Sequence, residues 1–268
     1  MRKMISILIL ASLFSCMPEE ELPIKNMGAI SGYFIECYCI PDESYTLNAA
    51  KILPLTETID PGAAVDLDVS IKADTVIRLE PVPGTLSFLG NYQHMTRLAN
   101  YGIDSLFLSI LTPENEHITA KTAVPDAIEI ASYSVSGTNN SATITFQTSR
   151  NPKQNYYIFS MQARKSDRDD PVLKKETTYL DLSRYSPGAS IEKTIRCQEI
   201  EEADGVFITL MRITEDCYNY QISLYEANSA NQGSITTPVP LVGNIQGAMG
   251  IFTCYTKCNK FIPREKFQ

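Results

Sequence analysis

Between Val65 and Ile71 the apolar residues fall at every second position (Val65, Leu67, Val69, Ile71), with Asp66, Asp68 and Ser70 between them and Lys72 after. Successive strand side chains point to opposite faces, so this period of two predicts a strand with one buried and one wet face. Runs rich in β-branched and aromatic residues at Gly32 to Ile40, Tyr45 to Ile52, Thr75 to Leu79, Ser105 to Leu111 and His117 to Ala123 predict further strands, cut by turns such as Pro41-Asp42-Glu43-Ser44. Their spacing fits a small sandwich, and Pro125 ends the set.

The second half opens with Ala127 to Val135, turns at Gly137-Thr138-Asn139-Asn140 and resumes with the alternating Ala142, Ile144 and Phe146, a hairpin-like unit. Asn139-Asn140-Ser141 matches a glycosylation acceptor but reads here as part of the turn. Tyr156 to Ala163, Ile191 to Cys197 and Val206 to Ile213 predict strands, while the charged stretch Arg164 to Lys175, with Pro171 inside it, predicts an exposed loop. One segment breaks the rhythm. Thr214-Glu215-Asp216 supplies a cap and an acidic first turn, and Tyr218, Ile222 and Tyr225 then recur at spacings of four and three, which predicts a helix from about Glu215 to Ala230. Its aromatic stripe is expected to pack on a sheet, with a ligand groove as the alternative.

Together these patterns predict a mainly β protein: an Ig-like/transthyretin-like β-sandwich over 30–125, then a second β-rich domain over 126–268 carrying one helix near 215–230. Gly243, Gly247 and Gly250 predict a tight loop leading into a last strand, Ile251 to Tyr255. Their spacing, without a following Lys-Ser/Thr, is not that of a phosphate-binding loop.

The first residues change the picture from a free globule to an anchored one. Arg2 and Lys3 precede the apolar run Met4 to Phe14, and Leu13-Phe14-Ser15-Cys16 places a small residue before a cysteine. This order reads as a secretory signal, and its last four residues resemble the lipobox of bacterial lipoproteins. The resemblance implies cleavage of residues 1–15 and lipidation of Cys16, which would hold the chain to a membrane without spanning it, since eleven apolar residues are too few to cross a bilayer. Residues 16–29 form an acidic linker, and its Glu19-Glu20-Glu21 resembles the surface-export signal of Bacteroidetes lipoproteins.

The formal charge is −8, and cleavage would remove two basic residues. With no basic cluster, nucleic acid and an anionic membrane surface are poor partners. Beyond Cys16 there are six cysteines: Cys37, Cys39, Cys197, Cys217, Cys254 and Cys258. An even number in an exported chain permits disulfides. Cys37 and Cys39 share one face of a strand and are poorly placed to bond each other, so Cys254 with Cys258 is the pair most open to bridging. The spacings Cys-x-Cys and Cys-x3-Cys are not those of a zinc ribbon, and neither His94 nor His117 has a partner at metal spacing. No metal and no cofactor is therefore expected. Nor is there a nucleophile elbow or a His-Glu-x-x-His motif, and the carboxylates at Asp169-Asp170 and Glu199 to Glu202 lie in polar stretches that read as solvated loops. The chain does not read as an enzyme.

Near the end, Pro238-Val239-Pro240-Leu241-Val242-Gly243-Asn244-Ile245-Gln246-Gly247-Ala248-Met249-Gly250-Ile251-Phe252 resembles the closing motif of the DUF4249 lipoproteins of Bacteroidetes, Asn-Ile-x-Gly-Gly-Leu-Gly-Ile-Phe, with Ala248 and Met249 in place of the second glycine and the leucine. The helix from Asp216 resembles that family's aromatic segment, Tyr33 to Ile52 its opening strand pair, and Ile118 to Pro125 the close of its first domain. The resemblance implies an outer-membrane, surface-exposed lipoprotein that binds rather than catalyses, as accessory to a TonB-dependent nutrient transporter. The alternative is a structural pilus or adhesin subunit, although no arginine lies between Cys16 and Arg78 for the maturation cleavage such pilins undergo. Candidate ligand or partner contacts are Tyr218, Tyr225, Asn244, Gly247 and Gly250; the small-molecule, glycan or peptide ligand is open.

Overall fold

A computed structural model describes residues 32–41, 43, 45–52, 66–82, 89–94, 103–166, 171–231 and 239–268. The signal, Cys16, the acidic linker and Val65 lie outside the described residues.

The first half builds one sheet. Its strands are β1 (Gly32–Cys39), β2 (Tyr45–Ile52), β3 (Asp68–Lys72), β4 (Val76–Pro81), β5 (Leu89–His94), β6 (Ser105–Leu111) and β7 (His117–Ala123). Alternation sets which side of each strand is buried: Leu106, Leu108 and Ile110 turn inward while Phe107 and Ser109 turn out. The eighth strand comes from the far end of the chain, β14 (Met249–Cys254), which runs parallel to β1 with Phe34 opposite Met249 and Cys39 opposite Cys254. The order is β14-β1-β2-β5-β4-β3-β6-β7, and every other pairing is antiparallel. The two outer strands approach each other, where Thr119 and Gln246 exchange backbone hydrogen bonds of 3.1 and 2.8 Å. The sheet therefore nearly closes around one core that includes Ile35, Leu47, Ile71, Leu108 and Phe252. The sandwich expected for 30–125 holds only as β-rich structure: its halves are joined at β4 and β5 by the pairs Glu80 with Gln93 and Pro81 with Tyr92. A spacing of strands reports their number and not how their edges join.

The second half packs a three-stranded sheet against a four-stranded one. Strands β8 (Ser132–Ser136), β9 (Ser141–Gln147) and β12 (Ser190–Arg196) run in the order β12-β9-β8. Opposite them, β10 (Tyr156–Arg164), β11 (Val172–Asp181), β13 (Gly205–Ile213) and β15 (Thr256–Pro263) run in the order β11-β10-β13-β15. Ile144 and Phe146 from one sheet meet Phe159, Met161, Ile208 and Leu210 from the other in a shared core. The terminal Gln268 hydrogen-bonds Val135 and Gly137 of the β8 region and covers that seam. The exposed loop expected over Arg164 to Lys175 is in part β11. Its run Lys174-Lys175-Glu176-Thr177-Thr178 carries little apolar signal because β11 is an edge strand, and lysines are tolerated at such edges.

Between β13 and β14 lies the helix α1 (Glu215–Asn231), close to the predicted span. Thr214 caps it, accepting a hydrogen bond from the Cys217 N–H at 3.2 Å. The face it buries is Cys217, Tyr220 and Ser223 rather than the predicted stripe; Tyr218 and Ile222 are half-buried and Tyr225 is 67% exposed. Tyr220 donates to Glu36 Oε1 at 2.8 Å and Gln221 donates to Tyr38 at 3.3 Å, so α1 rests on the outer face of β1 and β14. The predicted stripe omits Tyr220, which is the aromatic that turns in, fully buried with its hydroxyl on Glu36.

After α1 the chain enters β14 in the first sheet and, one residue later at Tyr255, turns into β15 in the second. The 126–268 stretch thus supplies a strand to each unit and stitches them together.

Candidate functional site

Where the two units meet, a crevice of about 800 Å³ opens. One wall is the barrel-like sheet, through Ile40, Pro41 and Ile103; the other is the sandwich, through Ile128 and the 3-10 turn Pro152–Gln154; the linker Ala123 to Ala127 forms its base. A smaller recess of about 180 Å³ lies on the other side of Pro125 and Lys153, bounded by Ile213, Glu215 and Asp216. The two share Ala123, Pro125, Lys153 and Gln154.

The linker is held tightly. Arg212, buried to 5% exposure, donates through Nη1 to the carbonyls of Asp126 (3.1 Å) and Ala127 (2.8 Å), and its guanidinium lies 5.6 Å from the Tyr157 ring. Thr256 donates to the Asp126 carbonyl at 2.7 Å, and the Asp126 N–H donates to Gln154 Oε1 at 3.1 Å. Behind it, Asn155 Oδ1 accepts from the Ser149 N–H and from Tyr157, both at 2.7 Å. Lys257 from the sandwich and Glu43 from the barrel form an ion pair of 2.6 Å across the junction. Linker carbonyls fixed this way leave the side chains of Asp126 and Lys153 facing the opening as exposed groups.

The crevice draws its residues from five separate stretches of chain, and that is why no linear motif announces it. Pro125 is the one local signal, since it ends the first strand set where the crevice has its base.

The residues singled out from the sequence lie elsewhere. Asn244 is a structural clamp: its Oδ1 accepts from the Phe252 N–H at 2.9 Å, and its Nδ2 reaches Phe252 O at 2.9 Å, Asp216 Oδ2 at 3.1 Å and Lys121 O at 3.3 Å. The amide thus ties helix, β7 and β14 together. Gly250 has φ of +116°, and a Cβ there would collide with the Ile35 carbonyl of the neighbouring strand. Gly247 has φ of +85° and sits against His117. Tyr218 stacks at 5.4 Å on Tyr156, and Tyr225 stands in solvent. These five are not brought to one place.

All six described cysteines are free thiols. Cys37, Cys39 and Cys254 share the first core, with the Cys37 and Cys39 sulfurs 3.9 Å apart on one strand face. Cys254 and Cys258 part company because the chain changes sheets between them: Cys254 faces the first core and Cys258 packs on the second. Burial pushes the Cys254 and Cys217 thiols up to about 12 and that of Cys197 to about 11, the last also donating to Glu199 at 3.2 Å. Such thiols stay protonated and unreactive at neutral pH. Among the described residues, no group of three His, Cys, Asp or Glu side chains is arranged to hold a metal ion, and no helix is long and apolar enough to cross a membrane.

The family described as "Domain of unknown function (DUF4249)" matches residues 43–260. This chain belongs to the DUF4249 family. The DUF4249 match begins at Glu43 and runs through β14 into β15, so it takes in most of both units and the crevice lining apart from Ile40 and Pro41. No curated protein matches the sequence significantly. Among solved structures, the DUF4249 chain is similar to a DUF4785 family protein from Legionella pneumophila, at 16% identity over 67% of this chain and 52% of that one, with a TM-score of 0.27. It is also similar to Escherichia coli alpha-2-macroglobulin in its native conformation, at 10% identity over 70% of this chain and 13% of that one, with a TM-score of 0.24. The DUF4249 chain therefore spans about half the length of the Legionella protein and a small part of the macroglobulin.

Proposed function

We propose that the protein is a Bacteroidetes outer-membrane lipoprotein, anchored through Cys16 and exposed at the cell surface, that binds a ligand without transforming it and serves a TonB-dependent uptake system. The observation that carries the binding role is the crevice. Its volume of about 800 Å³ lies in the range of small-ligand sites, and it sits at a junction of two units, where such sites concentrate. Its walls mix Ile40, Ile103, Val124 and Ile128 with a few charged groups, a lining suited to holding a small ligand. The anchor and the transporter rest on the N-terminal pattern and on the family resemblance.

The test is affinity purification of C-terminally tagged protein from detergent-solubilised outer membrane, followed by mass spectrometry. The expected result is an outer-membrane barrel at a stoichiometric level and a diacyl or triacyl mass on Cys16. A protein that emerges alone removes the transporter and favours a free-standing adhesin or pilus-type role; a protein absent from the membrane fraction overturns the anchor.

A further inference from the structure

We infer that the crevice takes an organic cation: a ligand with an apolar body and an ammonium or guanidinium group. The inference rests on reading the crevice as the ligand site.

The carboxylates left without an ion pair set the sign of the crevice. Five carboxylates line the crevice and its side recess: Glu43, Asp104, Asp126, Glu215 and Asp216. Two lysines face them, and Lys257 is neutralised by Glu43 at 2.6 Å. Behind the linker, Arg212 adds a buried positive charge, but its Nη1 is turned to the Asp126 and Ala127 carbonyls. Four carboxylates then remain against Lys153, Arg212 and the positive N-terminal end of α1, in whose first turn Glu215 and Asp216 sit, and among the described residues Asp104, Asp126, Glu215 and Asp216 form no ion pair with a Lys or Arg. The internal contacts of these carboxylates are with neutral groups: Ser149 reaches Asp126 at 3.5 Å and Asn244 reaches Asp216 at 3.1 Å.

The amide oxygens and one hydroxyl proton of the lining are used by the protein itself. Thr256 donates to the linker, Gln154 Oε1 accepts from the Asp126 N–H, and Asn151 Oδ1 accepts from the Lys153 N–H at 3.1 Å. What the crevice offers a ligand is therefore apolar surface from Ile40, Ile103, Val124 and Ile128, carboxylate oxygen from Asp104 on the barrel side and Asp126 on the linker, and the amide N–H2 donors of Asn151 and Gln154. An apolar wall beside an acidic rim lowers the local dielectric at the rim and strengthens attraction for a cation. A dianionic or phosphorylated ligand would meet the opposite field, with Lys153 as its one accessible cation among the described lining residues.

Saturation-transfer NMR on the purified full-length protein tests this with two probes of matched size, phenethylammonium and 3-phenylpropionate. The ammonium should bind and the carboxylate should not. Asp104→Asn and Asp126→Asn should each weaken the ammonium about threefold with an unchanged melting temperature, and Lys153→Glu should strengthen it by a similar factor. Raising the salt from about 10 to about 150 mM should also weaken it, as expected for charges at an exposed rim. Preference for the carboxylate, lost in Lys153→Glu, would overturn the ligand class and keep the crevice as a site. Binding of neither probe, or of both equally and insensitively to all three substitutions, would overturn the inference and the crevice reading together, whatever the outer-membrane purification returns.

Discussion

At the scale of single residues, Asn244 shows how one amide can replace secondary structure. Its two hydrogen bonds to Phe252 reproduce the pattern of a strand neighbour, and its reach to Asp216 and Lys121 O joins three elements. Replacement by Ala strands the Phe252 N–H and C=O near the core, a cost of about 2 kcal/mol. Asn244→Ala should therefore lower the denaturant midpoint with an unchanged m-value, and Asn244→Asp, which turns a carboxylate oxygen toward the Asp216 carboxylate and the carbonyls of Phe252 and Lys121, should lower it at least as far. The buried acids set a second residue-scale expectation. Desolvation raises Cys217 and Cys254 from 9.0, and Tyr33 and Tyr255 from 10.0, all to about 12. Each of these groups holds its proton more tightly folded than unfolded, so the stability it lends is full below pH 9 and is lost as pH climbs toward 12. Melting temperatures at pH 8, 10 and 11 should fall in that order, with the steeper drop above pH 10; a flat profile across that range would contradict the burial of these groups.

At the scale of elements, β14 is the piece on which the architecture turns. It enters between β1 and β7 only because Gly250 brings its backbone against Ile35, at a φ that a side chain would strain. Gly250→Ala should cost about 3 kcal/mol or more. Hydrogen exchange should then accelerate in both β1 and α1, since α1 packs on the outer face of the displaced strand. Strand alternation made most of β1, β2, β6, β7, β9, β10 and β13 legible from sequence, and the capped, acidic start of α1 made the helix so. Three kinds of element were not. β11 is an edge strand with lysines where a buried strand would carry apolar residues. β5 holds Gly90 and Asn91, which read as turn formers. β15 has only Ile262 fully buried, so its pattern is faint. The crevice was illegible for a different cause: its residues are neighbours through topology, and nothing in their local spacing records that β14 returns to β1.

At the scale of the whole molecule, the two units are not beads on a string. The linker is pinned by Arg212 and Thr256, the Lys257 and Glu43 ion pair crosses the junction, and one chain segment supplies β14 and β15 in succession. Calorimetry should accordingly show a single endotherm with equal calorimetric and van't Hoff enthalpies; two separated transitions would mean that the shared segment does not couple them. Firm coupling also suits the crevice, whose two walls belong to different units and would drift apart if the units moved independently.

The late arrival of β14 has a meaning for the order of events at the ribosome. β1 is made before the other described strands, yet its parallel neighbour follows only after β2 to β13 and α1. Until then one side of β1 presents unpaired backbone groups, a template for pairing with another chain. A growing polypeptide that cannot finish its first sheet remains open and threadable while β2 to β13 and α1 are made, and closes only when β14 arrives.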